Sequence, residues 1–204
     1  MSSTTLTPPG GLTENDFIEE AAALDPAMPA ALVHAFADVE CGGRCGFGPS
    51  GRPVIAYEGH VFARLTHHQY DATHPLLSYK YVRKAGPEWQ ANNKDQATAW
   101  ATLNEAAALD HAAALQACSW GMFQVMGFNY STCGYDNVDG FVDDMKRGPR
   151  GQLNAFVGFC KAKPDLLAAM LARDFGTIAM LYNGRDCGDY ARRIERAYKN
   201  HGGT

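Results

Sequence analysis

The sequence predicts a mostly helical α+β domain with one small β element, and three observations carry that prediction. Apolar residues recur at helical spacing over most of the second half, predicting helices over roughly 94–109, 111–119, 137–147, 151–162, 164–173, 175–183 and 188–199. Gly or Pro stands at most of the junctions between them. One short run alone, Pro53-Val54-Ile55-Ala56-Tyr57, is proline-led and β-branched, as a strand of a small hairpin or three-stranded sheet would be. With 204 residues, 46% of them hydrophobic and 20% charged, the chain can bury one core, so residues 13–204 are read as a single domain.

The elements follow in chain order. Residues 1–12 read as a flexible tail. Thr13-Glu14-Asn15-Asp16 sets an N-cap with an acid three positions on, close to a capping box, ahead of Phe17, Ile18 and an alanine run to Leu24. Pro26 ends that helix, and Pro29 stands where the first helical position of the next should be. That second helix carries Leu32, Val33, Phe36 and Val39 on its apolar face and Glu40 on its last turn. Glycine density from Gly42 to Gly51 forbids regular structure, and the strand ends at Glu58. An irregular stretch over about 67–93 holds His67, His68, Tyr70, His74, Tyr79, Tyr81 and Trp89 before the helical pattern resumes.

Composition excludes several functions. No stretch approaches the ~20 apolar residues of a membrane span. The first ten residues lack the basic start and apolar run of a secretory signal, which points to synthesis in the cytoplasm. A net charge of -4 gives no basic face for nucleic acid. The one basic cluster, Arg185, Arg192, Arg193, Arg196 and Lys199, is interleaved with Asp186, Asp189 and Glu195 and reads as a solvated helix face. Six cysteines, at 41, 45, 118, 133, 160 and 187, are read as thiols, with Cys41 and Cys45 the one pair placed to oxidise. His60, His67, His68, His74, Cys41 and Cys45 lie close in sequence without metal-ligand spacing, so neither metal nor cofactor is expected. Cys118-Ser119-Trp120 hints at a thiol peptidase, but the position directly before the aromatic is Ser119, which removes that reading.

Glu40 is the residue with the clearest chemistry. A carboxyl on the last turn of a buried helix faces the negative end of the helix dipole and apolar neighbours, and both favour the protonated form that a general acid needs. The alternative is a solvated carboxylate at a helix end. Two further segments stand beside it: Ala117-Cys118-Ser119-Trp120-Gly121-Met122-Phe123-Gln124-Val125-Met126-Gly127 and Ile178-Ala179-Met180-Leu181-Tyr182-Asn183-Gly184. With Val39-Glu40-Cys41-Gly42-Gly43 they resemble, in order, the three-part pattern of lysozyme-like peptidoglycan glycosidases and soluble lytic transglycosylases. The closer resemblance is to the N-acetylmuramidase family of phage endolysins, carried by residues 39–43, 51–62 and 119–127 and extending over about residues 13 to 199. Two departures stand out: Cys41 where the family has Ser, and Gly59, in Tyr57-Glu58-Gly59-His60, where it has Arg.

The resemblance implies a lysozyme-like fold, with a small β-hairpin or sheet next to the acid. It also implies cleavage of the β-1,4 bond between N-acetylmuramic acid and N-acetylglucosamine, by a monomer that reaches peptidoglycan after release or export. Glycosidic cleavage uses a proton donor and a second group that stabilises an oxocarbenium-like centre or directs water. Glu40 fits the first and Glu58 the second, unless Glu58 is a structural ion pair or an acid at a helix N-terminus. The resemblance sets Gln124, with Ser119, in the sugar cleft and puts Tyr182 near the acid, with Asn183 beside it. On residues alone, Tyr182 reads equally as a core aromatic and Asn183-Gly184 as a helix C-cap. Trp120 and Phe123 are candidate apolar walls for an aminosugar. The rival readings are a lytic transglycosylase, which needs no second carboxylate, and a wall-binding module without turnover.

Overall fold

The structure is a computed structural model that describes residues 11–41, 46–83, 85–184 and 187–204. Residues 1–10 of the tail read over 1–12, and the proposed pairing of Cys41 with Cys45, lie outside the described residues. In chain order the elements are α1 (Glu14–Leu24), α2 (Ala30–Cys41), β1 (Ile55–Tyr57), α3 (Gly59–Leu65), α4 (Pro87–Asn92), α5 (Gln96–Leu109), α6 (His111–Gln116), β2 (Cys118–Trp120) and β3 (Val125–Met126). A 3₁₀ turn (Gly127–Asn129) leads to α7 (Val138–Arg147), α8 (Pro149–Lys161), α9 (Pro164–Ala172), α10 (Phe175–Asn183) and α11 (Tyr190–Asn200). No described helix is long and apolar enough to cross a membrane.

The first two helices start as the sequence dictates. Thr13 caps α1 through a reciprocal box: its hydroxyl accepts the Asp16 N–H at 3.3 Å, and its own N–H donates to Asp16 Oδ2 at 2.7 Å. Phe17, Ala21 and Leu24 bury the inner face. On α2, Leu32, Val33, Ala35 and Phe36 have no exposed surface, because α1 covers one side of the helix and α11 the other. Glu40 therefore stands on an element held from two sides.

The sheet has order β1-β2-β3 and is antiparallel throughout, with Tyr57 opposite Cys118, Ile55 opposite Trp120 and Ser119 opposite Met126. The helix predicted over 111–119 stops at Gln116, and Cys118–Trp120 forms the central strand instead. The alanine-rich run favours helix locally, but β2 gains ladder hydrogen bonds on both sides, and tertiary pairing overrides the local preference. The second motif thus supplies the partners of the predicted strand.

The free edge of β1 is closed by side chains. Gln96 accepts the Ile55 N–H at 2.9 Å and donates to the Ile55 carbonyl at 2.8 Å. Asn93 does the same for Tyr57, at 2.7 and 2.9 Å. Two amides spaced to meet Ile55 and Tyr57 act as a surrogate strand and pair the N–H and C=O of both residues at that edge.

Helices α3 and α4 break up what reads in sequence as strand end and irregular coil. At seven and six residues they are too short to show a helical period. One aromatic cluster of the core joins α2, α8 and α10 to the turn after β2, where the rings of Phe123 and Phe156 stack with centroids 4.3 Å apart. Phe36 meets Phe156 at 5.1 Å and Tyr182 at 4.8 Å in the same cluster.

Candidate active site

Glu40 sits one residue before the end of α2, partly buried. The Tyr190 hydroxyl, from α11, donates to its Oε1. Arg193, one turn on, donates to the Val39 carbonyl at 2.6 Å and so satisfies one of the carbonyls that the end of α2 leaves open. Burial raises the Glu40 pKa above the ordinary carboxylate value, and the Tyr190 hydrogen bond and the Arg193 charge offset part of that rise. The carboxyl is therefore biased toward its protonated form and holds a hydrogen-bond partner at the same time.

Glu58 is the N-cap residue of α3, but its side chain makes no capping bond. That departs from the ordinary use of an acid at a helix start and leaves the carboxyl free for other partners. Trp89 Nε1, from α4, donates to Glu58 Oε1 at 2.8 Å. His60 Nδ1 lies 3.4 Å from Oε2, and burial together with the Arg64 charge lowers the His60 pKa, so that ring is biased neutral. The Glu58 side chain is 21% exposed. Burial drives its pKa up to about 7 against the lowering effect of the Trp89 bond. Glu58 lines a cavity of about 200 Å³ with His60, Tyr79, Tyr81, Glu88 and Trp89. Glu40 is not among its walls.

The absent side chain at position 59 has a local cause. A Cβ on Gly59 would lie 2.2 Å from the Tyr79 ring, and the Gly59 N–H donates to the Tyr79 hydroxyl at 3.2 Å. Tyr79 thus fills the space that a longer residue at 59 would need.

Gln124 adopts a left-handed backbone, φ 46°, in the turn between β2 and β3. Its amide donates to the Gly121 carbonyl at 2.8 Å, and its Oε1 accepts from Ser119 Oγ at 2.6 Å. These bonds brace the turn that the motif forms. Trp120 and Phe123, expected as apolar walls for an aminosugar, are instead buried in the core, 0% and 1% exposed, and have no surface to offer a sugar. The Trp120 indole is spent on the Leu115 carbonyl at 3.0 Å, and the exposed aromatic surface near Glu58 belongs to Tyr81 instead.

Tyr182 ties the motifs together. Its hydroxyl donates to the Phe123 carbonyl at 2.7 Å, next to Gln124, and its ring stacks on Tyr190, 6.3 Å between centroids, which in turn bonds Glu40. Its second reading, as a core aromatic, describes the same residue, since its ring also meets Phe36 and Phe159. Asn183 is exposed at the end of α10, with Gly184 at the cap, φ 93°, donating to the Met180 carbonyl. Sequence reasoning passed over Tyr190 and Trp89; Arg193, read as part of a solvated helix face, is exposed and also donates to the Val39 carbonyl. The available signal was only an aromatic at the head of an amphipathic helix and another in a coil.

Cys118, Cys133, Cys160 and Cys187 are free thiols. Among the described residues no three His, Cys, Asp or Glu side chains gather closely enough to hold a metal ion.

No curated protein matches this chain. A solved structure does: the crystal structure of Burkholderia AP3 phage endolysin is 35% identical, with a TM-score of 0.82 over 98% of this chain and 75% of that one. The family model described as N-acetylmuramidase matches residues 29–202, which takes in both glutamates, the Gln124 turn and the Tyr182 helix. Most of the chain being covered on both counts, it belongs to the N-acetylmuramidase family.

Proposed function

We propose that this protein hydrolyses peptidoglycan as an N-acetylmuramidase, cutting the β-1,4 bond between N-acetylmuramic acid and N-acetylglucosamine once it reaches the wall. The observation that carries the reading is the pair of partly buried carboxyls, Glu40 and Glu58, each pushed above the ordinary carboxylate range on a separate rigid element. Glu40 gives its proton to the departing glycosidic oxygen. The Tyr190 hydroxyl stays on Oε1 and stabilises the carboxylate that remains. Glu58, once ionised, stabilises the developing positive charge or directs water. Ser119 and Gln124 hold the turn that borders the sugar, and Tyr182 and Asn183 bound it from α10. Replacing Glu40 by Gln removes the proton and keeps the shape, so wall lysis should fall by ~10³-fold in a folded protein. Near-normal lysis by E40Q would remove Glu40 from the mechanism.

The Glu58 pKa favours a second reading with the roles exchanged, because a group that keeps its proton to about 7 suits an acid. One pH profile separates them. If Glu58 acts ionised, lysis rises as pH climbs through about 7. If it acts as the acid, lysis falls through the same range. Mass spectrometry of the fragments tests the bond: reducing N-acetylmuramic acid ends support hydrolysis, whereas 1,6-anhydro ends with a fully active E58Q variant would make the protein a transglycosylase.

A further inference from the structure

We propose that Trp89 is a positioning residue for Glu58, its indole N–H fixing Oε1 so that Oε2 is the oxygen presented to the reaction. The inference rests on the reading of Glu58 as one of the two working carboxyls. It is carried by the way Trp89 is itself held. Asn93 Nδ2 donates to the Trp89 carbonyl at 3.0 Å and to the Tyr57 carbonyl at 2.9 Å, while Asn93 Oδ1 accepts the Tyr57 N–H at 2.7 Å. One amide thus fixes the backbone of Trp89 to the residue that precedes Glu58. The indole then closes the loop at 2.8 Å on Oε1. With Pro87 opening α4, the indole is anchored to the strand end that carries its acceptor.

A merely structural contact would leave the carboxyl in any rotamer that fills space. Here the two oxygens are made unequal. Oε1 accepts a direct N–H, whereas among the described residues Oε2 has only His60 Nδ1, at 3.4 Å and beyond ordinary hydrogen-bond length. Glu58 lines the cavity that Trp89 also lines, so the free oxygen belongs to a group at the cavity wall. The other titratable groups described around Glu58 are Tyr79, from the segment over Gly59, Tyr81 on the cavity wall, Cys118 on β2 and Glu88 on α4. Burial raises the pKa of Tyr79, to about 12, and that of Cys118, so both are neutral near pH 7. His60 is biased neutral as well. Among the described residues the indole is therefore the group that favours the ionised form of Glu58 by a direct bond.

Trp89→Phe keeps an aromatic ring and removes the donor. A hydrogen bond to a charged group is strong enough that its loss should move the Glu58 midpoint up by about one unit and lower kcat on the order of tenfold, with KM nearly unchanged. The midpoint moves upward whichever limb of the pH profile Glu58 sets. A carboxyl-carbon NMR titration reads that midpoint, and the pH profile of wall lysis should follow it. In the unaltered protein the Trp89 indole N–H resonance should titrate with the Glu58 midpoint and lose that step in E58Q, which tests the contact even if W89F folds poorly. An indole signal that ignores Glu58, or a folded W89F with wild-type profile and kcat beside an inactive E58Q, overturns the positioning role alone. A fully active E58Q would instead overturn the reading of Glu58 and take this role with it.

Discussion

Glu58 couples the chemistry of the site to the stability of the fold. Its folded pKa, about 7, lies above the ordinary carboxylate value, so the native state binds its proton more tightly than the unfolded chain does. A raised folded pKa contributes stability that is fully present below the unfolded pKa and is lost as pH rises through about 7. Burying an ionised carboxylate with one indole partner is the physical cost. Glu58→Gln carries no such charge, so its melting temperature relative to the wild type should improve between pH 5.5 and pH 8.5. The gain should be roughly 1–3 kcal/mol by the top of that range. Parallel melting curves for the two proteins at every pH would show that Glu58 is ionised without penalty and that its burial is overstated.

At the scale of elements, helices approach one another where glycine leaves room, and two helix glycines should respond to alanine with opposite sign. Gly158 on α8 lies under the Cys133 carbonyl, where an added Cβ would stand 2.3 Å from the oxygen. That oxygen is backbone, so the clash is relieved only by moving α8 or the turn before α7, costing about 1–3 kcal/mol. Gly140 on α7 has only Asn137 Oδ1 near, at 3.5 Å, which is ordinary contact. There alanine should add about 0.5–1 kcal/mol through better helix propensity and a less flexible unfolded chain. Calorimetry should therefore show the melting temperature of Gly158→Ala falling and that of Gly140→Ala rising by about 2–4 °C per kcal/mol. A rise for both would mean that α8 is free to shift.

At the scale of the whole molecule, the sequence speaks for local patterns and falls silent on long-range partners. The capping box at Thr13, the proline before α2, the apolar face ending at Glu40 and the strand at Tyr57 are written in neighbouring residues, and so is the mostly helical class. The strand Cys118–Trp120 is not, because its reason for being extended is β1, whose paired residues lie 61 to 65 positions away. The same holds for Trp89, whose role depends on Glu58, and for Tyr190 and Arg193, which reach α2 across 150 and 154 positions. The setting of Glu40 is thus completed by α11. Tyr190, Ile194, Ala197 and Tyr198 of that helix are buried, and removing them would uncover the apolar face of α2. At about 1.5–3 kcal/mol for each large buried side chain, the loss is comparable with the ~5–15 kcal/mol that holds a domain together. A chain stopped at Asp189 should show no cooperative melting and no lysis. A chain stopped at Asn200 loses the half-exposed His201–Asp38 pair, the His201 ring on His34, the bond from Tyr198 to the Thr204 carbonyl and the backbone bonds from His201, Gly202 and Gly203 to the last turn of α11, while the buried side chains of that helix stay in place. Such exposed pairs are worth about 0–1 kcal/mol, so that chain should melt within a few degrees of the wild type and keep its activity. Cooperative folding and lysis by the shorter chain would show that Glu40 does not need α11, and would take Tyr190 and Arg193 out of the site.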